Sequence, residues 1–423
     1  MNIGLYTITS PLHNQEAVEA ASAGFIKEIE NELDCRFDIK GADFGTYGQH
    51  DLDVIYVRTG GTEGIFKEVF PSLKGNIVLL TSGKSNSLAA SMEILSYLNR
   101  QGRRGEIIHG STTYIADRLR TLARVVSATK KLCGSNLGVI GKPSDWLISS
   151  NADKQRLKET LGINVIDIPM EELVAEIEKQ PYYDSAAAAE VMKRFKTGAP
   201  EFLKDRAEVS FRIYYALTSI VRKYDLQGLT LRCFDLLDAV GNTGCLALAI
   251  LNAEGIPSGC EGDVPALVTM MIGQALTGQS GFQANPSRID PQKGEMTLAH
   301  CTVPLDMVRS YSFDSHFESG LGIAVKGEMP EGPVTIVKVS GDMSRTFCNG
   351  AELKANLSER SLCRTQIILR LDGDGKKVCK EYFLTDPIGN HHIVFIGRQK
   401  HLFDDFFRHI LGEIMHLYAD FQL

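Results

Sequence analysis

Close CxxC pairs are absent. The nine cysteines stand singly at 35, 133, 233, 245, 260, 301, 348, 363 and 379, which argues against a zinc ribbon or a thioredoxin-type redox site. Their scatter and odd number argue for a reducing compartment. Nowhere is there an uncharged apolar run of about 18 residues, the length a membrane-crossing helix needs. The opening MNIGLYTITS lacks a basic segment followed by an apolar one, so the expectation is a cytoplasmic protein without a signal peptide. Basic residues are in deficit: 45 Lys and Arg against 52 Asp and Glu give a net charge of -7, which disfavours nucleic-acid binding by phosphate neutralisation. Low-complexity tracts and short repeats are missing. What is present, 43% hydrophobic and 23% charged residues, suits a soluble globular protein with a small polar substrate.

At 423 residues the chain has room for two or three domains of roughly 150 residues each. The pattern predicts strands at 2–10, 52–57 and 76–81 and helices at 17–30 and 87–99, the alternation of an open parallel α/β domain over 1–135. A second cycle over 136–290 opens with the strand NLGVIG at 136. Helices follow at 153–161, 170–179, 189–222 (broken near 198–200), 245–253 and 266–276, with strands at 164–168 and 228–237. Beyond about 290 the texture turns to short alternating runs such as MTLAHCTVP, GPVTIVKVSG and CRTQIILRLDG. That predicts an antiparallel, barrel-like domain over 291–423, closed by a helix at 402–420. The expected fold is α/β: two open parallel-sheet domains followed by a β-rich barrel.

RTGGTEG at 58–64 and TSGKSNS at 81–87 each follow a predicted strand, where backbone N–H groups can form an anion-binding turn. Neither contains GxGxxG or GxxxxGK[ST], so a dinucleotide or P-loop reading fails on spacing. They are either ordinary turns and caps or the edge of a ligand or subunit cleft. In the second case Arg58, Thr59, Glu63, Lys84 and Ser85 are the groups of interest. GKPSDWLISS at 141–150 holds the sole tryptophan, Trp146, which could cover the apolar face of a sugar or serve as a buried anchor.

Glu261 and Asp263 in GCEGDVPALVTM stand just before an apolar helix, where carboxylates act as caps or as oxygen ligands for Mg2+ or Mn2+. His300 in LAHCTVP, His316 in SFDSHFESG and the pair His391 and His392 in GNHHIVFIG add imidazoles in strand or turn contexts. Each taken singly reads as structural, but two histidines with a turn carboxylate make a mixed N/O metal site. Side chains of adjacent strand residues point to opposite faces, so one of His391 and His392 at most faces such a site.

The stretches GLTLRCFDLL, GCEGDVPALVTM, AHCTVP, SHFESG, GPVTIVKVSGD and NHHIVFIG, in that order, resemble the L-fucose isomerase and L-arabinose isomerase superfamily, most specifically over 228–405. The resemblance implies an aldose–ketose isomerase using a divalent ion, typically Mn2+, with Mg2+ and Co2+ as alternatives. It places metal ligands at Glu261, Asn285, His300 and His391 or His392, with His391 favoured. Asn285 departs from the family's second acidic ligand: an amide oxygen can ligate a metal but cannot act as a carboxylate base. Glu261 then needs another proton-transfer partner, for which Asp263, Glu318 or a metal-bound water are the candidates, with Asp290 nearby in sequence. Arg288 and Lys293 could engage an acidic substituent, so the expected ligand is a sugar, neutral or anionic. Arg58, Lys84, Trp146, His316 and His392 complete the candidate substrate contacts. A sugar epimerase and a non-catalytic sugar-binding or regulatory protein are the alternative functions. The family forms oligomers, often hexamers, with N-terminal segments closing a neighbour's site, so a homo-oligomer is expected.

Overall fold

The computed structural model describes residues 1–179 and 185–411, which fall into two compact units, Met1–Ser127 and Ala128–Leu423. In the first, strands β1 (Ile3–Ile8), β2 (Phe37–Gly41), β3 (Leu52–Val57), β4 (Ile77–Leu80) and β5 (Gly105–Ile108) form a parallel sheet in the order β2-β1-β3-β4-β5. Helices α1 (Gln15–Leu33), α2 (Glu63–Val69), α3 (Ser87–Arg100) and α4 (Thr112–Leu132) alternate with the strands. Every residue of β1 and β4 is buried, as expected for parallel strands covered on both faces. Helix α1 starts where Asn14 accepts a hydrogen bond from Ala17 N–H and stops at Asp34, which adopts a left-handed conformation. The short β2 and β5 were not anticipated, because FDIKG and GEII carry too few apolar residues to stand out.

The second unit opens with a parallel sheet of β6 (Asn136–Ile140), β7 (Asn164–Ile168), β8 (Leu226–Leu231) and β9 (Ser258–Cys260) in the order β7-β6-β8-β9. Its helices are α5 (Lys154–Leu161), α6 (Met170–Glu178), α7 (Ala186–Gly198), α8 (Ala207–Tyr224), α9 (Asp235–Val240), α10 (Cys245–Ala253) and α11 (Val264–Thr277). The run GLTLRCFDLL, expected as one strand, divides: β8 ends at Leu231 and α9 begins at Asp235. Asp235 and Asp238 suit a first helical turn, and an apolar run alone cannot tell strand from helix.

The remaining strands are β10 (Phe282–Asp290), β11 (Glu295–His300), β12 (Ser310–Asp314), β13 (Ala324–Glu328), β14 (Gly332–Val339), β15 (Thr346–Asn356), β16 (Thr365–Leu371) and β17 (His392–Ile396). Six of them close an antiparallel barrel in the order β10-β11-β16-β15-β14-β17, with β17 pairing back onto β10, while β12 and β13 form a separate hairpin. The fold is therefore two parallel-sheet α/β layers followed by a closed antiparallel barrel. Helices α10 and α11 are apolar nearly all round because they are buried on all sides. A Cβ on Gly273 of α11 would come within 2.0 Å of the Phe395 ring, so glycine lets this helix seat against the barrel strand β17. The closing helix runs Lys400–Leu411; the rest of the expected 402–420 helix lies outside the described residues. Among the described residues no helix is long and apolar enough to cross a membrane.

Candidate metal centre

The chain leaves β9 at Cys260 and enters α11 at Val264, and the three residues between them define one wall of a site. Asp263 is the N-cap: its Oδ1 accepts from Ala266 N–H at 2.8 Å. Glu261 has φ of 65° and Gly262 φ of 70°, so the link is a left-handed turn that only glycine adopts freely. A Cβ at Gly262 would also lie 2.6 Å from the Lys142 carbonyl oxygen. The close approach brings in the loop after β6, where Ser144 N–H donates to the Glu261 carbonyl at 2.9 Å and Trp146 Nε1 donates to Glu261 Oε2 at 2.7 Å.

The other oxygen of Glu261 faces two imidazoles. Oε1 lies 3.4 Å from His391 Nε2 and 3.9 Å from His300 Nε2, the two rings meeting edge to face with centroids 5.5 Å apart. His300 ends β11 and His391 immediately precedes β17; both strands flank β10, where Asn285 pairs with Ala299 and Ala284 with His392, so register brings the two histidines level with each other. Each ring is anchored through its far nitrogen: His300 Nδ1 bonds Thr302 Oγ1 at 2.8 Å, and His391 Nδ1 bonds Asp263 Oδ2 at 2.8 Å. That is how outer partners orient metal-binding histidines. His391 Nε2 is buried and, among the described residues, has no hydrogen-bond partner.

Charge in this enclosure is strongly coupled. Burial works against ionisation of Glu261, but contacts from His300 and His391 win and hold its carboxyl well below the usual range. Burial likewise opposes charge on His391, yet the Asp263 and Glu261 carboxylates raise it to about 9. Burial lowers His300, against the pull of Glu261. Ligand atoms of Glu261, His300 and His391 lie within 4.8 Å of one another, and this is the one such group of His, Cys, Asp or Glu among the described residues. One carboxylate oxygen and two inward imidazole nitrogens, one of them the orphaned Nε2 of His391, fit a divalent ion.

Beside the cluster stands an aromatic wall. Trp146 meets Phe234 edge to face at 4.9 Å, and Phe234 meets His316 at 5.5 Å. Trp146 is 52% exposed, so it is a rim residue and not a buried anchor. His316 is pushed down to about 4 by burial and by repulsion from His300 and Arg364, while its Nδ1 pairs with Ser319 Oγ at 3.0 Å. Burial and the Glu261 charge both raise the carboxyl of Glu318.

The remaining sequence candidates divide. Asn285, on β10, is half-buried and its Oδ1 accepts from Asn390 at 3.1 Å, so that oxygen is engaged. His392 turns away from the cluster: Nε2 bonds the Tyr382 hydroxyl at 2.8 Å and Nδ1 the Asn390 carbonyl at 2.8 Å. With both nitrogens occupied and no exposed surface, it serves the barrel wall and cannot contact a substrate. Arg288 is exposed and doubly bonded to Glu359, and Lys293 pairs with Asp290 across 3.0 Å, so both cations are neutralised at the surface and Asp290 is turned outward with them. In the first unit, Arg58 pairs with Glu19, Thr59 accepts from Ser10 N–H at 3.0 Å, and Lys84 is exposed. Two contributors were not anticipated, Thr302 behind His300 and Lys338, whose Nζ lies 3.7 Å from Asp263 Oδ2. A lysine interrupting the apolar run VTIVKV was the available signal for the second.

No family model matches the chain. It is similar to proteins named sulfoquinovose isomerase: one from Clostridium sp. (strain MSTE9) is 25% identical over 188 residues, 44% of this chain and 42% of that protein. Another, from Priestia aryabhattai, is 22% identical over 236 residues, 53% of this chain and 52% of its own. A third, from Alkalicoccus urumqiensis, is 23% identical over 194 residues, 44% of this chain and 42% of its own. The chain spans about half the length of the curated relatives it matches. The likeness is a distant one to sugar isomerases in general, and does not single out the L-fucose and L-arabinose enzymes.

Proposed function

We propose that this chain is a divalent-metal-dependent aldose–ketose isomerase that acts on an open-chain sugar, with Mn2+ the ion of first choice. The observation that carries the reading is the convergence of Glu261 Oε1 with the Nε2 atoms of His300 and His391, the latter without a hydrogen-bond partner among the described residues. The distant likeness to sugar isomerases supports the reaction class, and the sulfonated sugar in the relatives' name makes anionic sugars the first to test. A bound divalent ion would supply Lewis acidity to adjacent sugar oxygens as an enediolate develops.

The chain's own residues have separable tasks. Glu261, His300 and His391 would hold the ion. Asp263 is committed to the helix cap and to His391, which leaves it no free oxygen for proton transfer. Of the side-chain candidates at the site Glu318 remains: its raised affinity for a proton suits a group that takes the C2 proton and returns it to C1. Trp146 and Phe234 would cover the apolar face of the sugar while the indole N–H keeps Glu261 Oε2 occupied.

The test is an Mn2+ titration of metal-stripped protein, wild type against Glu261→Gln, followed by C2 deuterium exchange with sulfoquinovose and neutral hexoses. Near-stoichiometric binding lost in the variant, with exchange in at least one sugar, is the expected result. Equal binding by both proteins would overturn the site. Metal and sugar binding without exchange would favour a non-catalytic sugar-binding protein, the reading that the amide at Asn285 supports.

A further inference from the structure

Asp263 is fully buried and divides its oxygens between two tasks: Oδ1 caps α11 and Oδ2 accepts from His391 Nδ1. That second oxygen also lies 3.7 Å from Nζ of Lys338, a β14 residue whose side chain is 1% exposed. Among the described residues the Lys338 ammonium has no hydrogen-bond partner. A buried ammonium without hydrogen-bond partners is costly. Nor does the neighbouring helix explain it, because a cation beside a helix N-terminus is disfavoured by the helix dipole. The adjacent backbone is tied down, with Val339 N–H donating to Thr269 Oγ1 of α11 at 3.2 Å, so the lysine stem rises from a fixed point.

We propose that Lys338 is a positioning residue of the metal centre, holding Oδ2 of Asp263 in line with His391 Nδ1 so that His391 Nε2 stays aimed at Glu261 and the ion. The inference rests on the metal-site reading above. It links Lys338, Asp263 and His391 in one row, of which His391 alone would hold the ion. The helix cap restrains Oδ1 alone. Rotation about the Asp263 side chain is opposed by the lysine at the other oxygen, and the imidazole follows the carboxylate.

The experiment compares metal-stripped wild type, Lys338→Met, Asp263→Asn and the double variant. Asn can still cap α11, so the aspartate change removes the link and leaves the helix start. Mn2+ affinity is read by calorimetry, and the His391 Nδ1–H resonance by NMR of histidine-labelled, metal-free protein. Each single variant is expected to bind Mn2+ roughly 10–100-fold more weakly. The double variant is expected to be no weaker than Asp263→Asn, because the lysine acts through the aspartate. In metal-free protein, Lys338→Met should shift the Nδ1–H resonance and speed its exchange. Wild-type affinity with an unmoved resonance in Lys338→Met overturns the proposal, as does a double variant whose loss is the product of the two single losses. Where Met is not tolerated, Lys338→Gln takes its place under the same criteria. Failure of wild type to bind Mn2+ would sink the metal reading, while the NMR comparison would still decide whether Lys338 positions His391.

Discussion

Trp146 donates its indole N–H to Oε2 of Glu261 across 2.7 Å, so the rim of the site and its central carboxylate are directly joined. One carboxylate oxygen is thereby fixed and the other left free to meet the two imidazoles.

Because this is the only tryptophan in the chain, its fluorescence reports on Glu261. Mn2+ should quench the emission of wild type in a saturable titration and leave Glu261→Gln unchanged. Trp146→Phe keeps the ring against Phe234 but loses the N–H, and should weaken Mn2+ binding about tenfold by calorimetry. Unaltered affinity would mean that the indole does not set the carboxylate.

Gly262→Ala should be among the most damaging small substitutions in the chain. Its φ of 70° and the backbone 2.6 Å from the new Cβ leave neither the residue nor its neighbour room to give. The expected loss is about 2–4 kcal/mol in denaturant unfolding, together with loss of Mn2+ binding as the Glu261 turn shifts.

The vicinal histidines should separate cleanly. His391→Ala is expected to abolish metal binding. His392→Ala should keep binding within severalfold but lower stability by about 1–3 kcal/mol, because it breaks the buried hydrogen bond between His392 Nε2 and the Tyr382 hydroxyl. The reverse pattern, measured by calorimetry and urea unfolding, would exchange their roles.

The metal-free protein should be most stable near pH 6.5. His392 and His316 are depressed from 6.5 to about 3 and about 4, so the unfolded chain binds more protons below pH 6.5 and stability falls with acid. His391 is raised from 6.5 to about 9, so its contribution is complete below 6.5 and is lost as pH rises through 9, on the order of 3 kcal/mol. His391→Gln should flatten the alkaline limb of a urea-midpoint profile and leave the acid limb in place. Mn2+ affinity should rise over the same alkaline range, since Nε2 must lose its proton before it can bind the ion.

The architecture was legible because periodicity changes close to where it should: β3 and α3 fall within a residue of their expected bounds, and the switch to alternation near 290 comes one strand into the barrel, after β10. Glu261 and Asp263 were both visible, but not their division of labour. That depends on a left-handed turn at a glutamate, a conformation the residue type does not announce. Lys338 was illegible as a functional group because a lone lysine in an apolar strand usually ends in solvent, and only the closed barrel shows that this one turns inward. Arg288 and Lys293 failed in the opposite sense: their charge was plain, but Arg288 is neutralised by Glu359 from far along the chain and Lys293 by Asp290 within its own turn.

His300 and His391 belong to the ends of β11 and β17, the two neighbours of β10 in the ring, so the distance between the imidazoles is a measurement made by strand register. A slip of one residue on either side of β10 would send one ring to the opposite wall. Ion uptake would then act as a proofreader of assembly: only a chain whose ring has shut in the correct alignment presents both nitrogens, and the ion would ratify that alignment by holding the two flanking strands in step.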